Sequence, residues 1–182
     1  MDEVTMSVIT TKGPPFAREE VAHIVRNLRA RDQAEIYALR WNNDPDQLTD
    51  ELLAVAHAMW RIFCVDAEPV AMAGVLPTRP GVVSAGAFGT ELWPLVVRHV
   101  TRFARDWSIP RLRKANCHRA ECYVLATNHD SRGWLISLGA EEEAYLRGYG
   151  RDQQDFILYA WRLQDVHGRR RRELGTKLRH VC

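Results

Sequence analysis

The sequence predicts a single α/β (α+β) domain, residues 1–164, followed by a basic C-terminal tail, residues 165–182. Three observations carry this. Apolar residues recur at helical spacing in some segments and alternate in others, so helices and strands are interspersed along the chain. Apolar residues make up 46% and charged residues 26% of 182 positions, a globular balance with length for one core and too little for two. The stretch Asn128 to Glu143, N-H-D-S-R-G-W-L-I-S-L-G-A-E-E-E, sets a short helix directly before a charged strand. Trp134, Leu135 and Leu138 share one face of that helix, and Gly139 stands where a left-handed residue ends it.

The elements follow in order. Val4 to Thr10 is β-rich and opens as a strand, which Gly13-Pro14-Pro15 interrupts. Phe16, Val21, Ile24, Val25 and Leu28 then line one helical face. Asp32 and Glu35 have the D-x-x-E spacing of a capping box and start a second helix through Ile36 and Leu39. Trp41 ends it, N-N-D-P-D turns, and a third helix carries Leu48, Leu52, Val55 and Met59. From Trp60 the period becomes two. A strand, a D-A-E-P turn and the run V-A-M-A-G-V-L-P predict a hairpin, and V-V-S-A-G-A-F predicts a third strand. Leu92 to Trp107 reads as one long helix, and Leu112 to Cys117 as a charged strand. After the Asn128 helix come a strand E-E-A-Y-L-R, a G-Y-G-R-D turn and a closing strand F-I-L-Y-A-W-R-L.

Composition excludes several classes. No apolar run reaches the ~20 residues of a membrane span. The start, M-D-E-V-T-M-S, lacks the basic and apolar regions of a signal peptide, so synthesis in the cytoplasm is expected. Cys64, Cys117, Cys122 and Cys182 are scattered, which favours reduced thiols over a disulfide framework. The C-H-x3-C-x6-H spacing of Cys117, His118, Cys122 and His129 fits no zinc module, and no metal is expected. From Asp165 onward six Lys/Arg against two acids give +4; subtraction from the total of +2 leaves about −2 for the other 164 residues. Arg169, Arg170, Arg171, Arg172, Lys177 and Arg179 thus form a candidate partner-binding arm for an acidic protein surface or, non-specifically, nucleic acid. Trp41 and Trp93 stand at helix ends, where partial exposure is expected.

The Asn128 helix followed by "LG" resembles the last helix–strand junction of the GNAT (GCN5-related N-acetyltransferase) superfamily, and the element order from about residue 4 to 163 is similar. That resemblance implies a central mixed, mostly antiparallel sheet flanked by helices. It also implies where chemistry would sit. Such enzymes carry a (Q/R)-x-x-G-x-(G/A) loop whose bare backbone N–H groups, with a helix N-terminus, cradle the coenzyme A pyrophosphate. Here the matching place reads S-A-G-A-F-G-T-E-L-W-P: Gly86 and Gly89 remain, and Glu91 adds a carboxylate in the first helical turn. The favoured reading is a short strand-to-helix turn with Thr90 and Glu91 capping the helix, over a non-standard coenzyme site. If acetyl-CoA binds, Phe88, Gly89, Thr90 and Asn128 are the expected contacts. The position of the general-acid tyrosine holds Leu135, and the strand Val82 to Phe88 contains no carboxylate for a base. Glu121 and His118 flank the signature helix without a spacing that singles them out, and no catalytic residue is assigned.

Within that superfamily the chain is similar to the internal virion protein A group of short-tailed phages. The matching residues are R-x-x-D-x-x-E-I-x-A (Arg29, Asp32, Glu35, Ile36, Ala38), A-G-V-L-P (Ala73 to Pro77), Gly89-Thr90 and N-x5-W-L-x-x-L-G (Asn128 to Gly139). This resemblance implies a virion-associated structural or assembly role on an acetyltransferase scaffold. Together with the degenerate phosphate loop and the missing tyrosine, it leads to the expectation of a non-catalytic protein, multi-copy or homo-oligomeric, that contacts other virion proteins and has no cofactor. The alternative is an acetyl-CoA-dependent N-acetyltransferase with a divergent pyrophosphate loop. A splay between the two central strands plugged by Phe88 or Leu135 would exclude it.

Overall fold

The computed structural model describes residues 7–163; the arginine-rich arm, including Arg169 to Arg172, Lys177 and Arg179, lies outside them. Seven strands form one sheet in the order β1-β2-β3-β4-β5-β7-β6: β1 Ile9–Lys12, β2 Arg61–Val65, β3 Glu68–Arg79, β4 Val82–Gly89, β5 Arg119–Leu125, β6 Glu141–Leu146 and β7 Phe156–Arg162. Every neighbouring pair is antiparallel except β4–β5. The sequence dictates the turns. Asp66 and Ala67 both take positive φ (49° and 71°), the backbone of a two-residue hairpin turn whose twist matches the strands it joins.

The two faces of the sheet are covered differently because side chains alternate along each strand. On one face Ile62, Cys64, Met72 and Phe88 pack against α1 (Arg18–Arg26), α2 (Ala30–Ala38) and α3 (Pro45–Val55). On the other, Phe63, Val65, Ala71 and Ala73 meet α4 (Trp93–Arg102), and Cys122 and Val124 meet α6 (His129–Ser137). Local signals set the helix ends. Asp44 caps α3 by accepting from the amides of Asp46 (2.8 Å) and Gln47 (3.2 Å), with Pro45 in the first turn. Gly139 takes φ 84° just after α6, as its position predicts.

Five expectations are corrected. The cap of α2 is Arg29, which places Asp32 and Glu35 inside the first turns of that helix, turned toward the sheet. Thr90 and Glu91 precede the start of α4, whose N-cap is Leu92; Thr90 Oγ1 accepts only a 3.3 Å contact from the Leu92 amide. The long helix passes through a π turn at Phe103–Ser108 and goes on as α5 (Ile109–Lys114), so Leu112 is helical rather than extended. Pro110 has no N–H to give to the preceding turn, and the Ile109 amide reaches five residues back to Ala104 O. The strand expected at Leu112 to Cys117 begins at Arg119. Glu121 conceals it in the sequence, because in the fold its buried carboxylate is held by Arg79 (2.8 Å) and Arg119 (2.7 Å). Trp93 is buried, and Trp41 is 98% exposed.

Trp60 lies flat on β3. A Cβ at Gly74 would stand 2.3 Å from Trp60 Cδ2 and 2.9 Å from its Cα, so an alanine cannot enter without moving backbone. Gly74→Ala is expected to cost about 1–3 kcal/mol through overpacking, read as a lower urea midpoint at unchanged m-value.

Candidate active site

The site arises where the sheet opens. Strands β4 and β5 pair over three rungs only, Val82 with Arg119, Val83 with Ala120 and Ser84 with Glu121. Beyond Ser84 they diverge, leaving the inner edges of Ala85–Gly89 and Cys122–Leu125 without each other. Unpaired strand edges need other partners, and the α1–α2 junction supplies them. The Arg29 amide donates to Gly89 O (2.9 Å), and Leu28 bridges Thr90.

Helix α2 then presents two carboxylates three residues apart, on one face. Asp32 Oδ2 accepts from the Gly89 amide (2.8 Å) and is held by Arg29 through Nε (2.9 Å) and Nη2 (2.7 Å); the Arg29 guanidinium lies 4.4 Å over the Trp93 ring. Glu35 Oε2 accepts from the Leu125 amide (3.0 Å) and from Asn128 Nδ2 (3.1 Å). One helix thus braces the end of β4 with Asp32 and the end of β5 with Glu35. Burial pushes the Asp32 carboxyl up, against the pull of Arg29 and the Gly89 amide. Burial also pushes Glu35 up, to about 7, opposed by the Leu125 and Asn128 donors and aided by the nearby Asp32 charge.

A cavity of about 330 Å³ occupies the splay and passes from the α2–α3 side of the sheet to the α4–α6 side. Asp32, Glu35 and Ile36 line one side; Phe103, Trp134 and Leu135 line the other; Ala85, Gly86, Ala87 and Cys122 form its waist. Small side chains on β4 keep that waist open. Phe88 and Leu135 line the cavity and do not fill it. Both donors to Glu35 use Oε2, and Glu35 lines this space. A carboxyl poised near neutrality in an apolar cleft is suited to accept or return a proton.

The residues singled out in the sequence fall as follows. Asn128 caps α6 through the Ser131 amide (3.3 Å) and positions Glu35. The amides of Gly89 and Thr90 are engaged by Asp32 and by Val70 O (2.8 Å), so neither points freely at a pyrophosphate. Glu121 is locked between arginines. His118 lies outside the cavity, where its ring abuts Gly81. Burial raises the Cys122 thiol to about 12, far from the thiolate a nucleophile needs. Among the described residues no three His, Cys, Asp or Glu side chains converge as metal ligands, and no helix is long and apolar enough to cross a membrane. Glu35 is the candidate group that sequence reasoning did not single out. Its signal, D-x-x-E, was present and reads as a cap until the fold shows what the helix faces.

No family model and no curated protein matches the chain. Solved structures do. The chain is similar to yncA from Salmonella typhimurium, solved with its cofactor acetyl-CoA (14% identity, TM-score 0.62, covering 86% of this chain and 95% of that one). It is also similar to Ard1 from Thermoplasma volcanium (12%, 0.65, 84% and 96%). A third is the ribosomal-protein-S18-alanine N-acetyltransferase from Escherichia coli (15%, 0.58, 87% and 95%). At these identities the likeness is one of fold, and the fold is GNAT-like.

Proposed function

We propose that the chain is an N-acyltransferase that moves an acyl group from a thioester donor of the acetyl-CoA type to an amine, with Glu35 as general base. The observation that carries this is the open splay with Glu35 inside it. The amine attacks the thioester carbonyl; a C–N bond forms, the C–S bond breaks, and the amine proton passes to Glu35 before protonating the departing sulfur. The Gly89 amide points into the splay, and strand alternation turns the Ala87 amide the same way, where it can polarise the thioester carbonyl. On this reading the pantetheine part of such a donor occupies the cavity. The pyrophosphate finds no free amide at Gly89 or Thr90, so the expected contacts narrow to Phe88 and to Asn128 acting through Glu35. Incubation with acetyl-CoA and a panel of peptide and small amines, read by mass spectrometry, should give acylated product that Glu35→Gln abolishes. Full activity in the variant removes Glu35 from the mechanism.

A second reading has one observation in its favour: Asp32 already holds the amide at the end of β4. On this reading the scaffold is non-catalytic and serves assembly, as the resemblance to phage internal virion proteins implies, with multiple copies contacting other virion proteins and the arginine arm as a contact. Absence of any thioester binding at millimolar donor, together with multimers in native mass spectrometry, would favour it over the enzyme.

A further inference from the structure

The cavity does not stop where β4 and β5 close. It runs past the last paired rung, Ser84 with Glu121, along the face covered by the π turn, α5 and α6. Its walls there are Ser108, Ile109, Leu112, Ala120, Leu138 and Trp161. Trp161 gives its indole N–H to Leu138 O (3.0 Å), so it offers this arm only ring carbon. Ala120 contributes only a methyl group to this wall, beside Val75, Val83 and Leu112 of the same core cluster. Apart from the Ser108 hydroxyl its walls are hydrocarbon, and a space lined this way offers water few partners.

We propose that this arm holds an aliphatic acyl chain, so that the preferred donor is an acyl thioester longer than acetyl. This rests on the acyltransferase reading of the same cleft. An acetyl group has only a methyl beyond the reacting carbonyl and cannot reach the arm when that carbonyl stands beside Glu35. The donor's phosphate end gains little, because the Gly89 and Thr90 amides are already engaged. Donor affinity then has to come from buried hydrocarbon, and the arm is where the structure provides for it.

The test is calorimetric titration of the full chain with acetyl-, butyryl-, hexanoyl- and decanoyl-CoA, with transfer to an amine followed in parallel. Affinity is expected to rise about fourfold per added methylene until the arm is filled, then level off. Ser108→Leu and Ile109→Trp, which narrow the arm away from Glu35, are expected to flatten the series and leave acetyl-CoA binding within about twofold. Retention of folding is checked by circular dichroism, and two variants guard against one failing to fold. A flat or falling series with acetyl transfer intact overturns the chain-length proposal and leaves the acyltransferase standing. A rising series without transfer of any donor overturns the acyltransferase reading and leaves the arm as a ligand site. No binding of any donor overturns both.

Discussion

Glu35→Gln is expected to lower kcat/KM for acyl transfer by ~10²–10⁴-fold while making the folded protein more stable above neutral pH. The two effects have one cause. Burial raises the carboxyl from 4.5 to about 7, so the folded chain binds a proton that the unfolded chain has released. A group raised in the fold contributes stability that is complete below its unfolded value and is lost as pH rises through the folded one. Between pH 4.5 and 7 the wild type therefore loses on the order of 3 kcal/mol from this residue. Glutamine keeps an acceptor oxygen for the Leu125 amide and Asn128 Nδ2 and has no proton to lose. Urea denaturation at pH 5 and pH 8 should show the variant gaining on the wild type as pH rises. The rate of the wild type should fall as pH drops through about 7, when the base becomes protonated. Equal pH slopes of stability in the two proteins would falsify the assignment of a raised carboxyl.

Asp32→Ala is expected to cost about 3–5 kcal/mol, the largest loss of any single replacement around the cleft. The side chains of Asp32 and Arg29 are 6% and 11% exposed, so truncation leaves a guanidinium buried against Trp93 without its counter-charge. It also strips the Gly89 amide of its acceptor at the end of β4. Asp32→Asn keeps an oxygen for that amide and is expected to lose less. The urea midpoints of the two variants separate the contributions. A loss below 1 kcal/mol for Asp32→Ala would mean that the end of β4 does not depend on this brace.

Most of the fold is legible in the sequence because its signals are local. Gly139 follows a short apolar helix face, Asp44-Pro45 caps a helix, Asp66-Ala67 closes a hairpin, and each acts within a few residues. The misplaced strand shows the limit. Arg119 and Glu121 look solvated when read alone, and only their cross-strand partners make β5 a core strand. The helix read as ending at Trp107 extends through a π turn that period counting does not register.

For the site the division is sharper. The absent tyrosine at Leu135 and the carboxylate at Glu91 are sequence facts, and they direct attention away from catalysis. Asp32 and Glu35 were in view as a D-x-x-E pair, and spacing alone assigns such a pair to a helix cap. The sequence by itself determined the order of elements and the turns, because hydrophobic period and backbone stereochemistry act along the chain, and the GNAT-like architecture was implied by the resemblance of that order and of the Asn128–Gly139 stretch. Only the tertiary structure decided that β4 and β5 part after Ser84, that α2 crosses the gap, and that its two carboxylates brace the opened edges. A carboxylate 90 residues from the amide it meets owes its burial, and with it a proton affinity near neutrality, to long-range packing that no local pattern encodes.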